Sequence, residues 1–171
     1  MSRLNIKQHL YRTWLALAIS AAAFAGPSVQ ADRPGTASGN WQDCNVVTDI
    51  TGGENYTIIT VQITESYTGT LTGSYEGTET DIVYADGSAT FQGSGTFTGT
   101  VSGQSGSAVM TYVGTGTPTG TGKAQWIMDQ GTGSLATMHG RGTFQGQETG
   151  PTEGCDDTFA GTYTGQIQFV P

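Results

Sequence analysis

Between Phe91 and Val101 the chain reads FQGSGTFTGTV, with phenylalanine, glycine and valine at odd positions and Gln92, Ser94, Thr96, Thr98 and Thr100 at even ones. An alternation of period two is the mark of a β-strand with one face turned to a core and the other to solvent. Runs of this kind recur at roughly 41–50, 55–67, 70–84, 88–101, 106–115, 121–129, 135–146 and 160–170, and ADGS at 85–88 is a tight Asp-Gly hairpin turn. No apolar period of 3.6 survives for three turns, and glycine, threonine and serine recur too often for a stable helix, so the chain reads as all-β.

Eight antiparallel strands can close an up-and-down barrel or stack as a sandwich. The repeated glycine on the core face favours the barrel: glycine weakens a strand unless geometry requires it, and a small barrel requires strongly coiled strands with room for bulky neighbours across the lumen. Gly140, Gly142 and Phe144 repeat the pattern, as do Gly161, Tyr163, Gly165, Ile167 and Phe169. An outer-membrane barrel needs a broad aliphatic outer band, whereas the chain beyond residue 31 holds only Leu71 and Leu135 as leucines and its second face is threonine and glutamine.

The N-terminus alters the picture of where the protein works. Arg3, Lys7 and Arg12 precede the apolar run WLALAISAAAF, and small residues lead to Ala31, which together describe a secretory signal peptide over 1–31, cut near Ala31. The apolar run is too short to span a bilayer as a helix. Residues 32–40 then read as a flexible, breaker-rich leader, and 41–171 as a single β-barrel domain, periplasmic or secreted. All 14 acidic residues follow the expected cut, against only Arg33, Lys123 and Arg141, leaving a formal charge of −11. Nucleic acid and anionic membranes are poor partners for such a surface. Cys44 and Cys155, two cysteines in an exported chain, are expected to form a disulfide.

The segments SYTGTLTGSYEG (66–77), VYADGSATFQG (83–93), GTVSGQSGSAVMTYVGTG (99–116), AQWIMDQGTGSLATMHGRGTF (124–144) and TYTGQIQF (162–169) together resemble the bacterial family known as domain of unknown function 3224. That resemblance implies a fold similar to the allene oxide cyclase barrel, eight antiparallel strands around an apolar cavity. The export signal and the cysteine pair depart from the family's usual pattern, as does His139.

The sequence has no GxSxG, no HExxH, no phosphate-binding loop and no cysteine metal cluster, so neither cofactor nor metal is expected. Chemistry would come from polar groups pointing into an apolar lumen, where desolvation raises a carboxyl pKa. Glu65 shares the parity of Ile59, Val61, Ile63 and Tyr67 and is the candidate catalytic residue, provided no bulge near Ser66 turns it outward. Tyr67, Tyr84 and Trp126 are candidate ligand-lining aromatics. His139 and Arg141 share one side of their strand, as ligand partners or as a surface pair. Glu76, Glu79 and Asp81 read as a solvated edge, and Asp156 and Asp157 as loop solvation. Three functions fit: an exported barrel binding an apolar or amphipathic small molecule, a cofactor-free isomerase or cyclase, or a structural or adhesive envelope protein.

Overall fold

The computed structural model describes residues 33–170, so the expected signal peptide lies outside the described residues. Its strands are β1 (Gly35–Gly53), β2 (Tyr56–Gly69), β3 (Leu71–Tyr84), β4 (Ala89–Val101), β5 (Gln104–Gly116), β6 (Thr121–Asp129), β7 (Met138–Glu148) and β8 (Phe159–Phe169). Each is antiparallel to the next, and β1 pairs with β8 to close an eight-stranded up-and-down barrel. The turn at 85–88 is as read from Asp-Gly: Gly87 takes φ +82°, and Asp86 accepts from both the amide and the hydroxyl of Ser88.

Two boundaries differ from the sequence reading. The leader expected at 32–40 is strand from Gly35 onward, with Gly35 opposite Ile167 and Gln42 opposite Ala160. Ala37 is fully buried, so the inward alternation starts before the breakers end, and β8 has no unpaired edge along this stretch. The strand expected from 135 begins instead at Met138, because Gly133–Leu135 forms a single 3₁₀ turn that buries Leu135 in the barrel's lower end.

Parity decides what faces the lumen. Odd positions point inward on β1 to β4 and on β8, even positions on β5 to β7. The outward faces carry threonine, serine and glutamine, so the barrel is apolar inside and polar outside, the reverse of one that spans a membrane with its strands. Among the described residues no helix is long and apolar enough to cross a membrane.

The lower half of the lumen is solid. Leu71, Val101, Met110, Met128, Leu135 and Met138 close its floor, and Trp126 lies above them with 1% of its surface exposed. The indole covers Gly142 and Gly165: a methyl on either would come within 2.7 Å or 2.6 Å of the ring. Phe144, on β7 above Gly142, packs on the same indole at a centroid distance of 6.0 Å. The same methyls would also overlap the Thr164 and Arg141 carbonyls, so glycine on the core face serves both the close approach of the strands and the room for a ring.

The upper half of the seam is closed differently. Past Gln42, β1 leaves β8 and meets the loop 149–158: Asn45 donates its amide to the Asp157 carbonyl at 2.9 Å, and Asp156 returns an amide to the Asn45 carbonyl at 2.8 Å. The expected disulfide between Cys44 and Cys155 crosses this junction on the outside, with the Cα atoms 5.3 Å apart and 111 residues between them. Closing so long a loop constrains the unfolded chain strongly, so replacing both cysteines by alanine should cost about 2–4 kcal/mol, measured by denaturant unfolding.

The ring-over-glycine packing makes a sharper prediction. A methyl on Gly114 would overlap the Phe91 ring and the Lys123 carbonyl, whereas one on Gly122 would lie 3.9 Å from the same ring. Gly114→Ala should destabilise by about 1–3 kcal/mol and Gly122→Ala by much less, as read from urea midpoints. Equal effects would show that the ring does not need the gap.

Candidate functional site

Above Phe144 the lumen is hollow. A cavity of about 330 Å³ opens at the end of the barrel that carries the 85–88 and 117–120 turns. Its walls are apolar, including Ile59, Val61, Val83, Phe91 and Phe144, but six carboxyl residues line it: Glu148 and Asp157, and, on the inner faces of β1 to β3, Asp43, Glu65, Glu79 and Asp81.

Strand register explains how they meet. Asp43 on β1 stands directly opposite Glu65 on β2, and Glu65 opposite Tyr75 on β3, so two carboxyls face each other across one ladder step. Glu79 stands opposite Gly93 on β4, which stands opposite Tyr112 on β5. A methyl on Gly93 would overlap the Tyr112 ring, so the phenol lies across the glycine towards β3, where Glu79 sits. Asp81 follows two residues later on the same face.

Like charges directly opposite in a sheet repel, and burial removes the water that would screen them. Burial pushes the Glu65 carboxyl up to about 8, with the adjacent Asp43 charge adding to it and the hydrogen bond from the Tyr67 hydroxyl opposing it. Asp43 rises to about 7, again chiefly through burial, offset by the Phe159 amide that donates to it at 2.5 Å and raised further by Asp157. Glu79 and Asp81 are both raised, by burial foremost, with Asp81 raising Glu79 and Asp157 raising Asp81. Every charge that acts on these four groups is another carboxylate.

Several buried polar atoms find no partner. The Asn45 side-chain carbonyl, the Tyr75 and Tyr112 hydroxyls and the Trp126 indole N–H have no partner at full hydrogen-bond geometry, although the Tyr112 hydroxyl lies beside Glu79 and Tyr75; of these residues Asn45 and Tyr112 line the cavity. Leaving a buried polar atom unpaired costs about 1–3 kcal/mol. Among the described residues no three histidine, cysteine or acidic side chains converge as metal ligands.

The structure brings some of the sequence candidates together and separates others. Glu65 points inward with 7% exposure, no bulge intervening at Ser66, and Tyr67 lies directly beneath it, its hydroxyl also 3.6 Å from the Met110 sulfur. Trp126 is in the packed floor and does not reach the cavity. Tyr84, His139 and Arg141 have the outward parity of their strands and are exposed, so of the two readings of His139 and Arg141 the structure has the surface pair. Tyr84 ends β3 at 42% exposure, one position out of phase with the inward-facing Val83. The solvated-edge reading holds for Glu76, which is exposed, and fails for Glu79 and Asp81, which share the inward parity of Tyr75 and Val83. Asp43 and Asn45 were not singled out by sequence; their parity with Trp41 is the signal that finds them.

A closed barrel, packed at one end and hollow and acidic at the other, is the class of protein this fold and site define. The model of the family described as protein of unknown function (DUF3224) matches residues 39–154, and the chain belongs to that family. The crystal structure of a protein with unknown function from the DUF3224 family from Shewanella oneidensis MR-1 is similar, with a TM-score of 0.64 and 18% identity over 81% of this chain and 99% of that one. At that identity the likeness speaks for the fold. No curated protein matches the chain.

The raised carboxyls fix a pH dependence. Glu65 and Asp43 hold their protons more tightly folded than unfolded, so their contribution to stability is complete below pH about 4 and is lost as pH rises through about 7 to 8. Glu65→Gln, which cannot ionise, should raise the thermal midpoint at pH 8.5 by about 5 °C and leave it nearly unchanged at pH 4, by calorimetry at both pH values. An equal shift at both would place Glu65 in contact with solvent.

Proposed function

We propose that this chain is an exported barrel that binds an apolar or amphipathic small molecule in its cavity, without a cofactor. The observation that carries the proposal is the hollow upper lumen itself: about 330 Å³ with apolar walls and unpartnered buried polar atoms, in a barrel whose lower half is packed solid. That volume is at the lower end of the roughly 300–1,000 Å³ of ligand pockets. Export is supported by the disulfide, which persists in oxidising compartments, and by the N-terminal pattern of the sequence. Native mass spectrometry of the protein purified from its own host's envelope tests the reading. A small molecule should be retained, and Ala124→Phe, which fills the cavity beside Phe144, should release it from a barrel that still folds. A protein that is empty, or a bound mass that survives the filled cavity, would contradict it.

A second reading is favoured by one contact. The Tyr67 hydroxyl donates to Glu65 in a dry site, and a carboxyl held near pH 8 can give or take a proton at neutral pH. Glu65 would then be the proton-transferring group of a cofactor-free isomerase or cyclase whose lumen folds a flexible substrate. Turnover would fall by about 10²–10⁴ in Glu65→Gln, and unaltered turnover would remove Glu65 from the mechanism.

A further inference from the structure

Resting on the reading of the lumen as a binding cavity, we propose that its ligand is an amphipathic organic ammonium ion. The cationic head sits among Asp43, Glu65, Glu79 and Asp81, and the apolar body runs towards the mouth along Ile59, Val83 and Phe91.

The first argument is donor and acceptor accounting. The carboxyls of Asp43, Glu65, Glu79 and Asp81 and the side-chain carbonyl of Asn45 make the cavity rich in acceptors. Protein donors to them are fewer than the acceptors: the Phe159 amide and the Asn45 side chain serve Asp43, the Tyr67 hydroxyl serves Glu65, and the Tyr112 hydroxyl lies beside Glu79. The Asn45 side-chain carbonyl oxygen has no donor although the residue is only 7% exposed. An ammonium group carries up to three donors and no acceptor, which is the complement of this set. A carboxylate or phosphate ligand brings only acceptors and negative charge, and is opposed wherever these carboxyls are ionised.

The second argument is the surroundings of the head. Groups that titrate face Glu65 from several elements: Asp43 from β1, Tyr67 from its own strand, Tyr75, Glu79 and Asp81 from β3, and Tyr112 from β5. Glu148 and Asp157 add carboxyls nearer the mouth, and β4 presents Phe91 there. The one basic side chain against the cavity is Lys123, which is exposed and on the outward parity of β6. Among the described residues no internal cation therefore balances the acidic cluster. The rings of Trp41, Phe91, Tyr112 and Phe144 surround the space, and Tyr112 is stacked edge-on against both phenylalanines at 6.3 Å and 6.2 Å. Aromatic faces around a desolvated cation are a further attraction that a neutral head would not feel.

A cation entering this cluster favours the ionised carboxyls, so groups that hold protons at neutral pH in the empty protein must lose them on binding. Binding of an ammonium ion is coupled to proton release, whereas binding of the isosteric alcohol is not.

The test is titration calorimetry of the disulfide-bonded protein with 2-phenylethylammonium and with 2-phenylethanol at pH 7.5, each in two buffers of different ionisation enthalpy. The ammonium ion should bind at least about tenfold more tightly than the alcohol and release protons, and Glu79→Gln and Asp81→Asn should each weaken it about tenfold. Retention of both variants' cooperative thermal transitions separates loss of binding from loss of fold. Alcohol binding as tight as the ammonium, with no proton release from either, would overturn the ammonium assignment and leave the binding cavity standing. If neither probe binds and the purified protein is also empty by native mass spectrometry, both readings fall.

Discussion

Aromatic rings lying across glycines set the interior of this barrel. Trp126 occupies the space that side chains at Gly142 and Gly165 would fill, and Tyr112 does the same over Gly93. Each pairing lets a small barrel hold a large side chain without over-filling its lumen, because the missing Cβ lies where the ring passes. The same device aims the polar ends of those rings. Tyr112 crosses Gly93 towards the register position of Glu79, and the Tyr163 hydroxyl, whose ring covers Gly39, accepts the Leu71 amide at 2.7 Å. Packing and the placement of polar groups thus have one cause, and at the hollow end rings and carboxyls share the wall.

Closure of the barrel is shared between backbone pairing and a covalent link. Along its first half β1 is bound to β8 by the ladder. Beyond Gln42 the register runs out, and the loop 149–158 supplies the substitute through Asn45, Asp156 and the Cys44–Cys155 bridge. This junction also carries two cavity-lining residues, Asp43 and Asn45, and brings Asp157 near the acidic cluster. The staple therefore holds the wall on which part of the site is built.

Much of this was legible in the alternation alone. The glycine and aromatic face of Phe91 to Val101 led to a closed barrel, and the parity of Ile59, Val61 and Ile63 placed Glu65 inside. Where the reading failed, it set parity aside in favour of residue type. Residue type sends Glu79 and Asp81 to solvent, as acidic residues usually go, whereas Leu71, Tyr75 and Val83 share their face. Tyr84 was assigned to the lumen because it is aromatic, although it is one residue out of phase. The strand that starts at Gly35 was hidden by proline and glycine, whose local preferences are overridden by the open edge of β8. The convergence of Asp43 with Glu65 was beyond sequence, since it depends on cross-strand register between β1 and β2, which a bulge between Val47 and Asp49 shifts.

Four raised carboxyls on the inner face of one barrel, with no internal basic partner among the described residues, cost stability at neutral pH, on the order of a few kcal/mol for a group as buried as Glu65. A protein keeps such an arrangement where the site itself is used. The direct test is a carbon-detected NMR titration of the side-chain carboxyl resonances of Glu65 and Asp43 in the disulfide-bonded protein. Midpoints near pH 8 and pH 7 are the result this account predicts. Midpoints near pH 4 for both would mean that the cavity is wet and its carboxylates ionised, and would contradict it.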